Sequence, residues 1–272
     1  MANKIDLNAH LVQKIMVSPT LAIMRFVPDG WELPDFKAGQ YGVLGLPYSA
    51  PRIKTADPLP YEDPDKLIRR AYSVASSPEV KDYVEFYIAL VESGELTPRL
   101  FALEPGDKVW LGPKFTGMFT LADIPDRKNI VFVATGTGLA PYMSMIRTDL
   151  ECNSERKFAV LHGARHSWDL GYRSELNGFK RLCKNFEYLP IIDHPDEENG
   201  RWAGEVGFVQ KLWTERRLEQ SWGVNPTPEN TRVFLCGNPN MVKSMLEVLH
   251  AEGFKEYNRR DKTGEIHVEK YW

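Results

Sequence analysis

Three cysteines in 272 residues, Cys152, Cys183 and Cys236, are too few and too scattered to ligate an iron–sulfur cluster or a zinc ion. No apolar run approaches the ~20 residues that a bilayer-spanning helix requires, so no membrane attachment through helices is expected. The opening MANKIDLNAH lacks the hydrophobic region of a secretory signal, which predicts a cytoplasmic protein. A net charge of −3 supplies no basic surplus for a nucleic-acid backbone, and nucleic acid is not expected as a partner. There is no internal repeat and no low-complexity segment. What remains, 43% hydrophobic and 26% charged residues, is the make-up of a soluble globular chain long enough for one large or two modest cores.

The chain changes rhythm near residues 122–126. Before it, residues 21–27, 41–46, 83–91 and 108–111 are short strand-like runs separated by Gly/Pro turns such as Pro28-Asp29-Gly30 and Glu104-Pro105-Gly106-Asp107. Closely spaced strands with little helical periodicity predict an antiparallel barrel. Residues 47–67 hold five prolines (47, 51, 58, 60 and 64) and read as an excursion loop: a lid, a partner surface or a plain solvated insertion. After the junction, apolar runs at 130–134, 158–161, 188–192 and 232–235 alternate with helical spacing, and a last strand is expected over 266–272. Four such steps predict an open, mostly parallel sheet with ligands at the carboxyl ends of its strands.

The stretch 130–147, IVFVATGTGLAPYMSMIR, organises this second half. An apolar run suited to a strand buried on both faces stops at Thr135-Gly136-Thr137-Gly138, and helical spacing follows. Strand, glycine turn and helix together aim backbone N–H groups at an anion, typically a pyrophosphate. The pattern here is G-x-G-x-x-P and is compatible with an ordinary α/β turn. Two further strand ends, Gly163-Ala164-Arg165 and Cys236-Gly237-Asn238-Pro239, also place small residues where such a sheet meets its ligand. Asn238 is the expected cap of a helix with Pro239 at its first position. In the first half, Arg70-Ala71-Tyr72-Ser73 combines a guanidinium, a strand aromatic and a hydroxyl, a set that suits a flavin nucleotide and equally a plain strand with an exposed arginine. Gly94-Glu95-Leu96-Thr97-Pro98 is a second candidate phosphate cradle.

In order along the chain stand RAYS (70–73), GELTPRL (94–100), ATGTGLAP (134–141), HGAR (162–165), LCGNPNMV (235–242) and the terminal VEKYW (268–272). This ordered set resembles the bacterial type of the ferredoxin/flavodoxin–NADP reductase family, over nearly the whole chain apart from the proline-rich excursion. The resemblance implies an N-terminal antiparallel FAD-binding β-barrel over 1–122. A Rossmann-like parallel-sheet domain for a nicotinamide nucleotide follows over 123–272, its last strand returning to the flavin. It implies an FAD enzyme that exchanges hydride with NADP(H) or NAD(H) and single electrons with ferredoxin or flavodoxin, acting as a monomer. Carried over by position, Arg70, Ala71, Tyr72 and Ser73 meet FAD, Tyr87, Ile88, Ala89 and Leu90 pass beside its ring, and Leu96 and Thr97 meet its pyrophosphate. Thr137 lies between the nucleotides. Gly136, Gly138, Arg165, Gly237, Asn238 and Pro239 contact the nicotinamide nucleotide. Ser73, Cys236, Glu269 and Tyr271 stand at the reacting centre, with Tyr271 and Trp272 also over FAD.

One position departs from that pattern. NADP-preferring members of the family place Ser or Thr and then Arg where this chain has Asp193-His194, and a carboxylate there repels a 2′-phosphate and suits a free ribose diol. Arg165 and Arg201 supply cations of the opposite sense, so the choice of nucleotide stays open. Two other readings stand beside the first: the NADH-dependent reductase component of an oxygenase with a separate iron–sulfur carrier, and a structural FAD-binding subunit of a larger complex. Because ferredoxins and flavodoxins are acidic, a basic docking face is expected, and Arg259, Arg260 and Lys262 are its candidates.

Overall fold

The computed structural model describes residues 6–60 and 62–271, and divides them into two compact units. The first comprises residues up to 120 together with 143–148. Its strands are β1 (Ala9–Ser18), β2 (Leu21–Pro28), β3 (Tyr41–Pro47), β4 (Leu67–Ser73), β5 (Val84–Ala89) and β6 (Lys108–Leu111), with one short helix, α1 (Thr97–Ala102). They form an antiparallel sheet in the order β4-β3-β6-β1-β2-β5. A bridge between Val74 and Phe86 joins the two ends, and the Ala75 N–H donates to the Glu85 carbonyl at 2.8 Å. Joining them closes the sheet into the expected barrel and removes the unpaired edges an open sheet would expose. Leu11, Met24, Phe26, Leu44 and Phe86 fill the interior, each buried completely. Residues 143–148 belong to α2 (Ala140–Asp149), where Arg147 reaches the buried Glu85 at 2.7 Å and Arg25 meets the same carboxylate at 2.7 Å. Sequence reading did not single out β1: its outward Val12, Ile15 and Met16 are apolar yet exposed, which blurs the alternation of a half-buried strand.

The second unit holds residues 121–142 and 149–271 of the described chain. Its strands are β7 (Asn129–Thr135), β8 (Phe158–Ala164), β9 (Phe186–Ile192), β10 (Glu205–Val206), β11 (Thr231–Cys236) and β12 (Ile266–Glu269). All neighbours pair in parallel, in the order β10-β9-β8-β7-β11-β12. The helices are α3 (Arg173–Leu182), α4 (Gln210–Thr214), α5 (Arg217–Trp222) and α6 (Pro239–Ala251). Asn238 caps α6 as expected, its side-chain oxygen accepting from the Asn240 N–H at 2.8 Å. Residues 207–220 are amphipathic in sequence, which predicts one helix, but Arg216 adopts φ 57° and separates α4 from α5. The terminal strand stops at Glu269, and Cys152 and Cys183 are joined as a disulfide. From β7 the chain steps outward through β8, β9 and β10, then returns to the other side of β7 with β11 and β12. Such a reversal of strand order opens a crevice at the carboxyl ends of β7 and β11.

Candidate active site

Strand register brings the carboxyl-edge residues of the second unit into one row. Cys236 at the end of β11 lies opposite Ala134 of β7 on one side and Glu269 of β12 on the other. The turn after β7 passes directly against the turn after β11. A Cβ on Gly138 would sit 2.1 Å from the Cys236 carbonyl oxygen, and one on Gly237 would sit 2.4 Å from Thr135 Oγ1. The Thr135 hydroxyl accepts from the Asn238 N–H at 2.8 Å and ties the two turns together. Around Gly136, by contrast, nothing lies within 4 Å of a notional Cβ, so this side of the cradle is open to a ligand. Glycines where two backbones touch, beside an open face ringed by the 136–138 and 237–239 segments, fit a dinucleotide phosphate.

Cys236 is fully buried, and that burial pushes its thiol well above the usual range, so the sulfur is a neutral S–H at physiological pH. The exposed Tyr271 lies beside the same sulfur. Cys236, Glu269 and Tyr271 are therefore neighbours, and Thr137 lies half-buried on the short turn Gly136–Leu139 beside them. Trp272, expected over FAD, lies outside the described residues.

A second cluster lies at the carboxyl ends of β8 and β9. Arg165 is exposed, with Nη2 3.5 Å from Glu197 Oε1. Asp193 Oδ1 lies 2.8 Å from His194 Nδ1, and the Asp193 and His194 N–H groups bond the Ala164 and Arg165 carbonyls. Sequence reasoning missed the rest of this cluster. His166 meets Glu197 at 2.7 Å and Asp169 at 3.1 Å and stacks on Trp168, while Glu198 accepts from the Ser167 N–H and hydroxyl, each at 2.6 Å. Partial burial works to lower the His166 pKa, but hydrogen bonds to Glu197 and Asp169 outweigh it and leave it raised. The same bond to His166 holds the Glu197 carboxyl below its usual range. Only folding brings 165–169 and 193–198 together, so no spacing in the sequence announces the cluster.

In the first unit Arg70 projects from β4 with its side chain 54% exposed and Nη2 2.6 Å from Glu95 Oε2, which brings RAYS and the Gly94 turn together. Ala71 is exposed, Tyr72 is half-buried with its ring edge toward Phe86, and Ser73 is buried. Tyr87 and Ile88 are buried, whereas Ala89 and Leu90 are partly open. Leu96 is buried ahead of α1, and the Thr97 hydroxyl is engaged with the Val91 backbone, accepting from its N–H at 2.9 Å and donating to its carbonyl at 3.1 Å. Backbone, not that hydroxyl, is what this turn offers to a phosphate. An exposed guanidinium above a turn with unbonded amides fits a flavin pyrophosphate.

Several known proteins are similar to this chain. The model of the oxidoreductase NAD-binding domain family matches residues 132–247. The flavodoxin/ferredoxin–NADP reductase of Buchnera aphidicola subsp. Baizongia pistaciae is 35% identical over 208 residues, covering 76% of this chain and 82% of that protein. The enzyme of the same name from Escherichia coli K12 is 30% identical over 237 residues, covering 87% and 88%. A solved ferredoxin NADP+ reductase from Neisseria gonorrhoeae with bound FAD and NADP superimposes with a TM-score of 0.80 at 24% identity, covering 97% of this chain and 98% of that one.

Proposed function

The chain belongs to the flavodoxin/ferredoxin–NADP reductase family, and from that premise we propose how its residues share the work. It is an FAD-dependent oxidoreductase that moves electrons between a nicotinamide nucleotide and the one-electron carriers ferredoxin or flavodoxin. The observation that carries this reading is the registered row Ala134, Cys236 and Glu269 at the switch point of the parallel sheet, with two glycine turns pressed together beside it. Readings as an oxygenase component or a structural subunit are not favoured, since relatives 35% and 30% identical carry the reductase name.

Hydride and single-electron chemistry would be supplied by the bound nicotinamide nucleotide and FAD. The protein's part is to bind and orient. We assign Gly136, Gly138, Gly237, Asn238 and Pro239 to the nicotinamide dinucleotide, whose pyrophosphate their backbones admit. Arg165, with Asp193 and His194, is assigned to its adenosine ribose. The neutral, buried Cys236 thiol shapes the floor of the nicotinamide position, with Glu269 and Tyr271 at its rim and Thr137 at its entrance. In the first unit Arg70 and the backbone at Leu96 and Thr97 hold the flavin phosphates, Tyr72 covers the ring and Ser73 lies against it, while residues 87–90 form its bed. We further propose a monomer in the cytoplasm.

Anaerobic titration of the purified yellow protein tests the reading. Stoichiometric bleaching of the flavin band by NADPH or NADH, followed by reoxidation on adding ferredoxin or flavodoxin, is the expected result. A colourless protein, or a flavin that neither nucleotide bleaches, would sink it.

A further inference from the structure

The described part of the proline-rich excursion, residues 48–60 and 62–66, is neither a lid nor a loose insertion: it is tied across the back of the turn that the proposed function assigns to the flavin phosphates. Its own ends are closed, the Tyr48 N–H donating to the Lys66 carbonyl at 2.8 Å and the Ser49 N–H to the Pro64 carbonyl at 3.0 Å. Tyr48, Ala50 and Ile53 pack against the barrel core. Two backbone bonds then fasten it to the turn, from the Ile53 N–H to the Pro98 carbonyl and from the Asp57 N–H to the Glu92 carbonyl, both 3.1 Å.

Two arginines cross in opposite directions between excursion and turn. Arg52 leaves the excursion and donates to the carbonyls of Glu92 at 3.3 Å and Gly94 at 3.4 Å, while its Nη1 returns to the Asp57 carbonyl at 2.6 Å. Arg99 leaves α1, donates to the Glu95 carbonyl at 2.5 Å and through Nε to the Tyr48 carbonyl at 3.2 Å, and lies 4.6 Å above the centre of the Tyr48 ring. Arg99 is 3% exposed, so its guanidinium is a buried fixture.

These bonds decide which way the turn faces. In a planar trans peptide the C=O and the following N–H point in opposite directions, and the described chain has no cis bonds. With the Glu92, Gly94 and Glu95 carbonyls held toward the two guanidinium groups, the N–H groups of Ser93, Glu95 and Leu96 are turned the other way. No protein acceptor is bonded to those three N–H groups among the described residues. Ser93 is exposed, Glu95 half-buried and Leu96 buried, and oriented amides at such a surface turn form the concavities that take anions.

We propose that the excursion is a strap that builds the flavin-phosphate site, with Arg52 and Arg99 as positioning residues that hold the 92–95 carbonyls inward and so present the Ser93, Glu95 and Leu96 amides to the pyrophosphate. This inference rests on the assignment of the flavin to the first unit. It distinguishes flavins by what they carry: FAD, with its pyrophosphate, depends on the strap, whereas riboflavin, which has no phosphate, does not.

Full-length Arg52→Met, Arg52→Lys and Arg70→Ala are stripped of flavin, and FAD and riboflavin are titrated back by fluorescence quenching, with melting of each apoprotein in parallel. Arg52→Met is expected to raise the FAD dissociation constant at least tenfold and to move riboflavin by less than twofold. Arg52→Lys retains the charge and a single donor centre, is the variant to read if Arg52→Met does not fold, and should raise the FAD constant at least threefold with riboflavin unmoved. If both flavins weaken by the same factor, or FAD is unaffected while Arg70→Ala loses it, Arg52 has no role in the phosphate site and the inference is overturned. If Arg70→Ala also binds FAD normally, the flavin assignment itself fails and takes the inference with it.

Discussion

Arg70 is half exposed and paired with Glu95 at 2.6 Å, so it is poised over the turn and yet free to exchange that carboxylate for a phosphate. Hydrogen bonds to charged groups contribute about 1.5–3 kcal/mol each. Arg70→Ala should therefore weaken FAD by about ten- to a hundredfold, and gel filtration of the variant at nanomolar concentration should separate protein from flavin. Retention of full FAD occupancy would show that the arginine faces solvent only. In the cluster proposed for the adenosine ribose of the nicotinamide nucleotide, Arg165, His166 and His194 are interleaved with Asp169, Asp193, Glu197 and Glu198. A carboxylate 4 Å from a phosphate charge costs on the order of 1 kcal/mol in water and several at lower dielectric, and the cations act against it. Both nucleotides are thus expected as substrates, with kcat/KM differing by less than about a hundredfold, or ~2.7 kcal/mol. Asp193→Ser with His194→Arg should shift the ratio toward NADPH at least tenfold. Steady-state kinetics that find strict NADPH use, unaltered by the double substitution, would leave Arg165 as the phosphate's holder and Asp193 turned aside.

The glycine turn after β7 shows how an element tolerates or refuses a methyl group. At Gly138 the new Cβ would strike the Cys236 carbonyl oxygen at 2.1 Å and the Gly237 nitrogen at 2.7 Å, all backbone atoms that cannot rotate away. Overpacking of this kind costs about 1–3 kcal/mol. Gly138→Ala should lower the free energy of unfolding by that amount and weaken the nicotinamide nucleotide at least tenfold while FAD content stays full. Gly136 has open space around it but a φ of 53°, so Gly136→Ala should cost only the left-handed penalty, about 1–2 kcal/mol. Equal losses at the two positions, measured by urea unfolding, would mean that the close approach of the turns is not what selects glycine.

At the scale of the whole molecule, two buried histidines set how stability depends on acidity. Burial lowers the pKa of His162 to about 3 and that of His267 to about 4, so both are neutral in the folded chain at pH 7. The unfolded chain takes up protons near pH 6.5 and the folded chain does not. Their contribution is therefore present above about pH 6.5 and is lost as pH falls toward the folded values. Each group adds a slope of about 1.4 kcal/mol per pH unit, so the pair gives roughly 2.7 between about pH 4 and 6. His162→Leu should halve that slope in urea titrations run at several pH values, whatever it does to stability at pH 7; an unchanged slope would refute the assignment. Docking of an acidic carrier is also a whole-molecule property. Arg259 and Arg260 are exposed just before β12, and Lys262 is shared with Asp123 at 3.4 Å. Reversing Arg259 and Arg260 to Glu should slow carrier reduction and flatten its salt dependence while ferricyanide reduction stays normal. An equal loss with ferricyanide would indicate damage at the flavin instead.

The sequence by itself determined the features whose cause is local. A strand buried on both faces is a continuous apolar run, so β7, β8, β9 and β11 were legible, as were the glycine turns that end β7 and β11 and the Asn238-Pro239 start of α6. Tertiary structure decided whatever depends on residues far apart in the chain. Closure of the barrel between Val74 and Phe86, and the alignment of Ala134, Cys236 and Glu269, follow from pairing that no single segment encodes. The break at Arg216 overrides an amphipathic pattern that runs through it, and the exposed apolar face of β1 conceals its period. The proline-rich excursion is the plainest case. Its composition says only that it forms neither helix nor inner strand, because proline removes donors and fixes φ. That it lies on the 92–99 segment was settled by two arginines and two amides reaching carbonyls about 40 residues away, contacts that exist only once the barrel has closed around them.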